Sequence, residues 1–173
     1  MSTRIALLSL ILLITQMLSA RAEDPDPLKD YGAEVKGLRT KVTLVKATIE
    51  TGKPVSVHYV KRNVSKETLK VWHSGFWPNH QIAVKDADGQ EPALTKQGAH
   101  CKKAFNPGGA RDKNFPVELK PDTEDATEGN SDLTLYFDLT KPGKYSVEII
   151  YEEKQGGWEG RVVSNTAAFE ITK

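Results

Sequence analysis

Residues 138–152 read DLTKPGKYSVEIIYE, and this stretch decides the fold. Pro142-Gly143 is a turn pair, in which Pro fixes one backbone dihedral and Gly opens the positive-φ region. It feeds Tyr145-Ser146-Val147-Glu148-Ile149, where apolar and polar residues alternate with the period of a half-buried strand. A Tyr at that place predicts a tyrosine corner, with its ring over the sandwich end and its hydroxyl bonded back to the backbone. Outward from this segment the signature recurs. Val55 to Val60, Leu69 to Trp72 and Ile82 to Lys85 read as strands, as do Phe115 to Leu119, Leu133 to Phe137 and Thr166 to Ile171. Val42 to Ile49 adds another, rich in β-branched residues. Beyond residue 22 no window sustains the apolar stripe of an amphipathic helix. Eight short strands separated by Gly, Pro, Asn and Asp predict an all-β, antiparallel sandwich of about seven to nine strands.

Composition agrees with that reading. The chain has 173 residues, 38% hydrophobic and 27% charged, enough for one domain with its own core and too polar for several membrane spans. Lys and Arg number 24 against 23 Asp and Glu, so no basic excess points to nucleic acid. A single Cys excludes an internal disulfide framework.

The N-terminus carries an export signature. Arg4 precedes an apolar run from Ile5 to Ile14, interrupted by Ser9, and Ala20-Arg21-Ala22 supplies an A-x-A cleavage site. The run is about half the length a spanning helix needs. Residues 1–22 are therefore expected to be a signal peptide, with no membrane span after its removal and an exported, periplasmic or extracellular, product. Residues 23–30, EDPDPLKD, combine prolines with clustered acids, so 23–34 is expected to be a flexible linker before a domain at 35–173.

Two segments, TGKPVSVHYVKRNVSKETLKVW at 51–72 and DLTKPGKYSVEIIYE at 138–152, resemble secreted bacterial immunoglobulin-like or fibronectin-III-like modules. The resemblance runs over roughly residues 38–172 and implies a fold. A weaker likeness is to the intracellular proteinase inhibitor family, through the strand–Asn–turn–strand opening, the D-x-D-G-like hairpin and the late P-G-x-Y. The export signal departs from that family, and no inhibitory loop matches residue by residue, so it too implies fold and no activity.

Residues 72–80, WHSGFWPNH, hold the densest chemistry. Phe76, Trp77 and His80 are candidates for a partner-binding loop, since aromatic faces give contact area at low side-chain entropy; the structural alternative folds them over the end of the core. Trp158, in the glycine-rich run Gly156-Gly157-Trp158-Glu159-Gly160, is a second candidate, either exposed at a loop tip or folded on the sheet rim. His73, His80, His100 and Cys101 are the side chains for a copper or zinc site, although their spacing fits no metal motif. His100 and Cys101 are adjacent, and a strand would send them to opposite faces. Lys102 and Lys103 favour a Cys101 thiolate, but a nucleophile also needs a positioned base. Asp86-Ala87-Asp88-Gly89 reads as a turn rather than a calcium loop, the acids of 122–132 as a solvated loop, and Asn63-Val64-Ser65 is a glycosylation sequon.

These readings favour an exported, non-catalytic binding module with no cofactor, whose partner is a protein or envelope component. A copper- or zinc-handling protein is the alternative. If the strands follow in order as A (38–49), B (55–61), C (68–73), C′ (80–85), F (144–151) and G (162–171), loops 74–79 and 152–161 are expected at opposite poles.

Overall fold

The structure, a computed structural model, describes residues 26–72, 76–109, 116–126 and 130–173. The signal at 1–22 and His73 lie outside the described residues, as does the side chain of Phe76. The described chain is an all-β sandwich. Its strands are β1 (Leu38–Leu44), β2 (Thr48–Glu50), β3 (Ser56–Asn63), β4 (Leu69–Trp72), β5 (His80–Asp86), β6 (Pro116–Leu119), β7 (Glu124–Asp125), β8 (Asn130–Asp132), β9 (Gly143–Glu153), β10 (Gly160–Val163) and β11 (Ala167–Thr172). Two helices interrupt them, α1 (Phe76–Asn79) and α2 (Lys96–Ala104), together with a 3-10 turn at Leu133–Leu135.

One sheet is built on β3, which pairs with β1 along one edge and with β7 and β8 along the other. The second is built on β9, flanked by β5 on one side and by β10 and β11 on the other, with β2 running parallel to β11. The two sheets pack as an all-β sandwich, with β4 and β6 paired apart from them, and the described strands number eleven where seven to nine were expected. Alternation does the packing: Val147, Ile149 and Tyr151 of β9 point inward against Leu38 and Val42 of β1, and all five are essentially inaccessible. Asn165 ties the sheets together, accepting from Val42 N at 2.8 Å and donating to Val42 O at 3.0 Å. That bridge sits in the break between β10 and β11, which the sequence presented as one strand. The expected first strand is likewise divided, into β1 and β2, one part in each sheet.

Tyr145 is the predicted corner residue. Its hydroxyl donates to Lys141 O at 2.8 Å, and its ring stacks on Phe169 with centroids 5.4 Å apart.

Several expectations are corrected. The strand read at 133–137 is instead a 3-10 turn over Leu133–Leu135 and a single bridge at Phe137; Asp132 caps the turn, accepting from Thr134 N at 3.0 Å. The linker read at 23–34 is anchored from its middle on. Tyr31 is buried and donates to Glu124, and Gly32 N donates to Thr40 O at 2.9 Å. The proline- and acid-rich composition ahead of Tyr31 hid that anchor. Asn63 of the sequon is fully buried, and its amide donates to Leu119 O at 2.8 Å and to Glu67 O at 2.6 Å. Those bonds make it a turn-former and leave no room for a glycan on the folded chain.

The strand order also changes the poles. The C–C′ pairing assumed for 68–73 and 80–85 does not form: β4 pairs with β6, and β5 pairs with β9. His80 therefore stands opposite Tyr151, so residues 76–79, the described part of the first loop, and the 152–161 loop lie at the same end of the sandwich. They are held together there by Asn79 donating to Glu153, and the second loop is tied to β4 by Trp158 N donating to Lys70 O at 2.7 Å.

Candidate binding cleft

The site is assembled along β5. Its inward residues Ile82 and Val84 are buried, and its outward residues Gln81, Ala83 and Lys85 are partly or fully exposed. Opposite β5 stands a wall made by α2, by Leu94 and by the 3-10 turn. Leu94 forms a single antiparallel bridge with Phe137, fixed by Thr95 N donating to Tyr136 O at 3.0 Å and Asp138 N to Ala93 O at 2.8 Å. Thr95 also caps α2, its hydroxyl accepting from Gly98 N at 3.0 Å. Gly98 then lets α2 approach closely, since a Cβ there would lie 2.0 Å from Tyr136 O. The helix buries only Gly98 and Cys101, residues too small to register as an apolar stripe, which is why the sequence concealed it.

Between strand and wall lies a cleft of about 260 Å³. Ile82, Val84, Leu94, Tyr136 and Phe137 give it a mainly apolar lining, and Trp77 shares it, edge-on to the Tyr136 ring with centroids 4.5 Å apart. Burial and the nearby Cys101 push the Tyr136 hydroxyl up. Lys85, Lys102 and Glu91 lie at the rim, Lys102 Nζ resting 2.9 Å from a Glu91 oxygen. Small apolar ligand sites are lined in this way, with a few polar groups that orient the occupant.

The sequence-derived candidates separate. Trp77, half-buried, lines the cleft. His80 also touches it, but its ring is fully buried between Tyr59, 5.3 Å away edge-on, and Tyr151, 4.9 Å away. Trp158 is no exposed loop tip. It is buried, stacks on Tyr151 at 5.4 Å, and its indole N–H lies 3.2 Å from both Val35 O and Lys36 O. Its glycine-rich neighbours serve packing: a Cβ on Gly156 would lie 2.8 Å from the Trp72 indole nitrogen.

Of the metal candidates, His100 is exposed on α2 and Cys101, next to it, faces inward. Adjacency on a helix, not a strand, divides them. Among the described residues no group of three or more His, Cys, Asp or Glu is placed to hold a metal ion. Burial pushes the Cys101 thiol up, only partly offset by the Gln97 amide 3.4 Å from its sulfur, so the lysines beside it in sequence do not set its ionisation. Asp86 is occupied by the turn it closes, accepting from Asp88 N at 3.0 Å and Gln90 N at 2.8 Å.

Sequence reasoning missed a polar cluster at the same end of the core. Lys61 of β3 and Asp125 of β7 are register partners, both buried, with Nζ 3.4 Å from Oδ2. Lys61 Nζ also lies 4.9 Å from the centroid of the Tyr151 ring, a cation–π contact. Asn79 and Glu153 are buried beside the end of β5. The inward period of β3 includes position 61, but a Lys there reads as surface in any sequence.

No protein-family model matches this chain, and no curated protein does so. Among the described residues no helix is long and apolar enough to cross a membrane. The class established is therefore that of the fold, a two-sheet, mostly antiparallel β-sandwich with an apolar cleft along one strand.

Proposed function

We propose that this protein is an exported, non-catalytic interaction module that engages a protein or envelope partner through the cleft along β5. Export rests on the signal read at residues 1–22. The observation that carries the binding reading is the cleft itself, mainly apolar, reached by Trp77 and rimmed by Lys85, Lys102 and Glu91. The absence of catalysis is supported by the burial of Cys101, whose sulfur meets an amide where a nucleophile needs a base.

The immobilised protein, incubated with the envelope fraction of its native host, tests this. Ala83→Trp fills the cleft from the outward face of β5 and should lose the retained partner. Lys53→Ala, in the turn between β2 and β3, should keep it. Equal retention by both variants would remove the cleft as the contact surface.

A further inference from the structure

Resting on the cleft reading above, we propose that the occupant is an extended peptide segment that adds to the outer edge of β5 as a further strand. Among the described residues β5 pairs with β9 alone. The direction of its remaining backbone groups follows from β9. Ser164 N donates to Ile149 O at 2.9 Å and Ile149 N to Ser164 Oγ at 2.9 Å, so the main chain of Ile149 is turned away from β5. Ile82 stands opposite Ile149 and Val84 opposite Val147, two residues along. In an antiparallel ladder that parity turns the N–H and C=O of Ile82 and Val84 to the outer edge. Asp86, next in the same parity, confirms the direction: its N–H donates to Gln90 O at 2.9 Å, which closes that end of the edge.

The cleft lies along this edge. It is lined by Gln81, Ala83 and Lys85 from the outward face and by Ile82 and Val84 from the inward face. An opening along a strand edge meets residues of both faces, because successive residues alternate, and this one extends over the outward face as far as Ile150 of β9. Trp77 closes the end where β5 begins, and the Asp86–Gln90 turn closes the other. The edge between them holds four to five residues at about 3.4 Å each.

An apolar small molecule would fill the cleft and leave the edge amides without partners; an added strand satisfies both. Main-chain bonds would supply affinity, and alternate side chains lying against Leu94, Tyr136 and Phe137 would supply selection. Lys85 and Lys102 outnumber Glu91 at the turn end of the rim, so the segment carries an acidic residue there.

The test uses two synthetic probes, acetylated hexapeptide amides of alternating Val and Thr with Glu at the first or at the last position. Each is added to the purified protein while amide exchange is followed residue by residue. One probe should slow exchange at Ile82 and Val84 at least tenfold at saturation, and N-methylating its amides that face β5 should weaken it more than tenfold. Binding indifferent to N-methylation in both registers, or protection elsewhere, would overturn strand addition. Indole is the control: if it shifts the Trp77 and Tyr136 resonances while neither peptide binds, strand addition fails and the cleft reading stands. If neither indole nor peptide perturbs the cleft residues, both readings fall.

Discussion

His80 faces Tyr151 directly across the β5–β9 ladder, and the two rings lie 4.9 Å apart in the core. This one register position determines which loops are neighbours. It sets the start of β5 beside the end of β9, so the chain entering β5 and the chain leaving β9 share one end of the sandwich. The chain leaving β9 also interlocks with β4, the Trp72 indole donating to Gly156 O at 3.0 Å and Trp158 N to Lys70 O at 2.7 Å.

That interlock makes Trp158 a core residue. Trp158→Ala removes a ring 5% exposed and its bonds to Val35 O and Lys36 O. The expected cost is about 3–5 kcal/mol, as for other large aromatics truncated in a core. Urea titration measures it; a loss under about 1 kcal/mol, the range of surface substitutions, would mean that the ring is not buried.

The Lys61–Asp125 pair predicts an asymmetry. Its side chains are 1% and 5% exposed, so water does not replace one charge when the other is removed. Asp125→Asn keeps the shape and removes the counter-charge, at an expected cost of about 3 kcal/mol. The double variant Lys61→Met with Asp125→Leu should recover most of that loss. Chemical denaturation of the three proteins decides it, and additive losses in the double variant would argue that the charges are not coupled.

How far the sequence revealed this molecule depends on where polar groups sit. The Tyr145 corner, the Asp86–Gly89 turn and the alternating β9 were legible, because turn chemistry and period two are local properties. Strand partners were not. The choice of β9 over β4 as the neighbour of β5 is made by long-range burial, which no local pattern encodes. The cleft was half visible: Trp77 could be read as a binding aromatic, whereas Leu94 and Tyr136 reach it only through the Leu94–Phe137 bridge. The helix α2 was silent because its buried face consists of Gly98 and Cys101.

Tyr145→Phe tests the part that was legible. Only the hydroxyl is lost, and with it the 2.8 Å bond to Lys141 O, while stacking on Phe169 is retained. A loss of about 1 kcal/mol is expected, the usual net value of such a bond. A midpoint unchanged within error in urea titration would show that the corner bond adds nothing.

Cys101 should be a poor nucleophile in the folded protein. Burial raises its pKa, so the thiolate fraction at pH 8 is below that of an exposed cysteine, and access is restricted as well. Alkylation by iodoacetamide should be at least about tenfold slower in the native state than in urea at the same pH. Equal rates would restore it as a reactive site.

The anchor of the N-terminal segment should make stability sensitive to acid. The Tyr31 hydroxyl donates to Glu124, and Arg62 approaches the same carboxylate at 3.1 Å; these contacts, that of Tyr31 foremost, hold Glu124 below its ordinary pKa against the opposing effect of burial. A carboxylate whose folded pKa is depressed contributes stability that is present above its unfolded value, about 4.3, and is lost as pH falls through the folded value. Tyr31 shifts the other way: burial first, and then its bond to Glu124, raise its phenol, so its own contribution holds through neutral pH and is lost only in strong alkali. Tyr31→Phe removes the largest cause of the Glu124 depression and leaves Arg62 in place. The variant should therefore be less stable at pH 7 and lose less on acidification, so that the urea midpoints of the two proteins converge between about pH 5 and pH 3. Comparing midpoints cancels the acid response of the other carboxylates, which both proteins share. Parallel curves across that window would show that Tyr31 does not set the ionisation of Glu124.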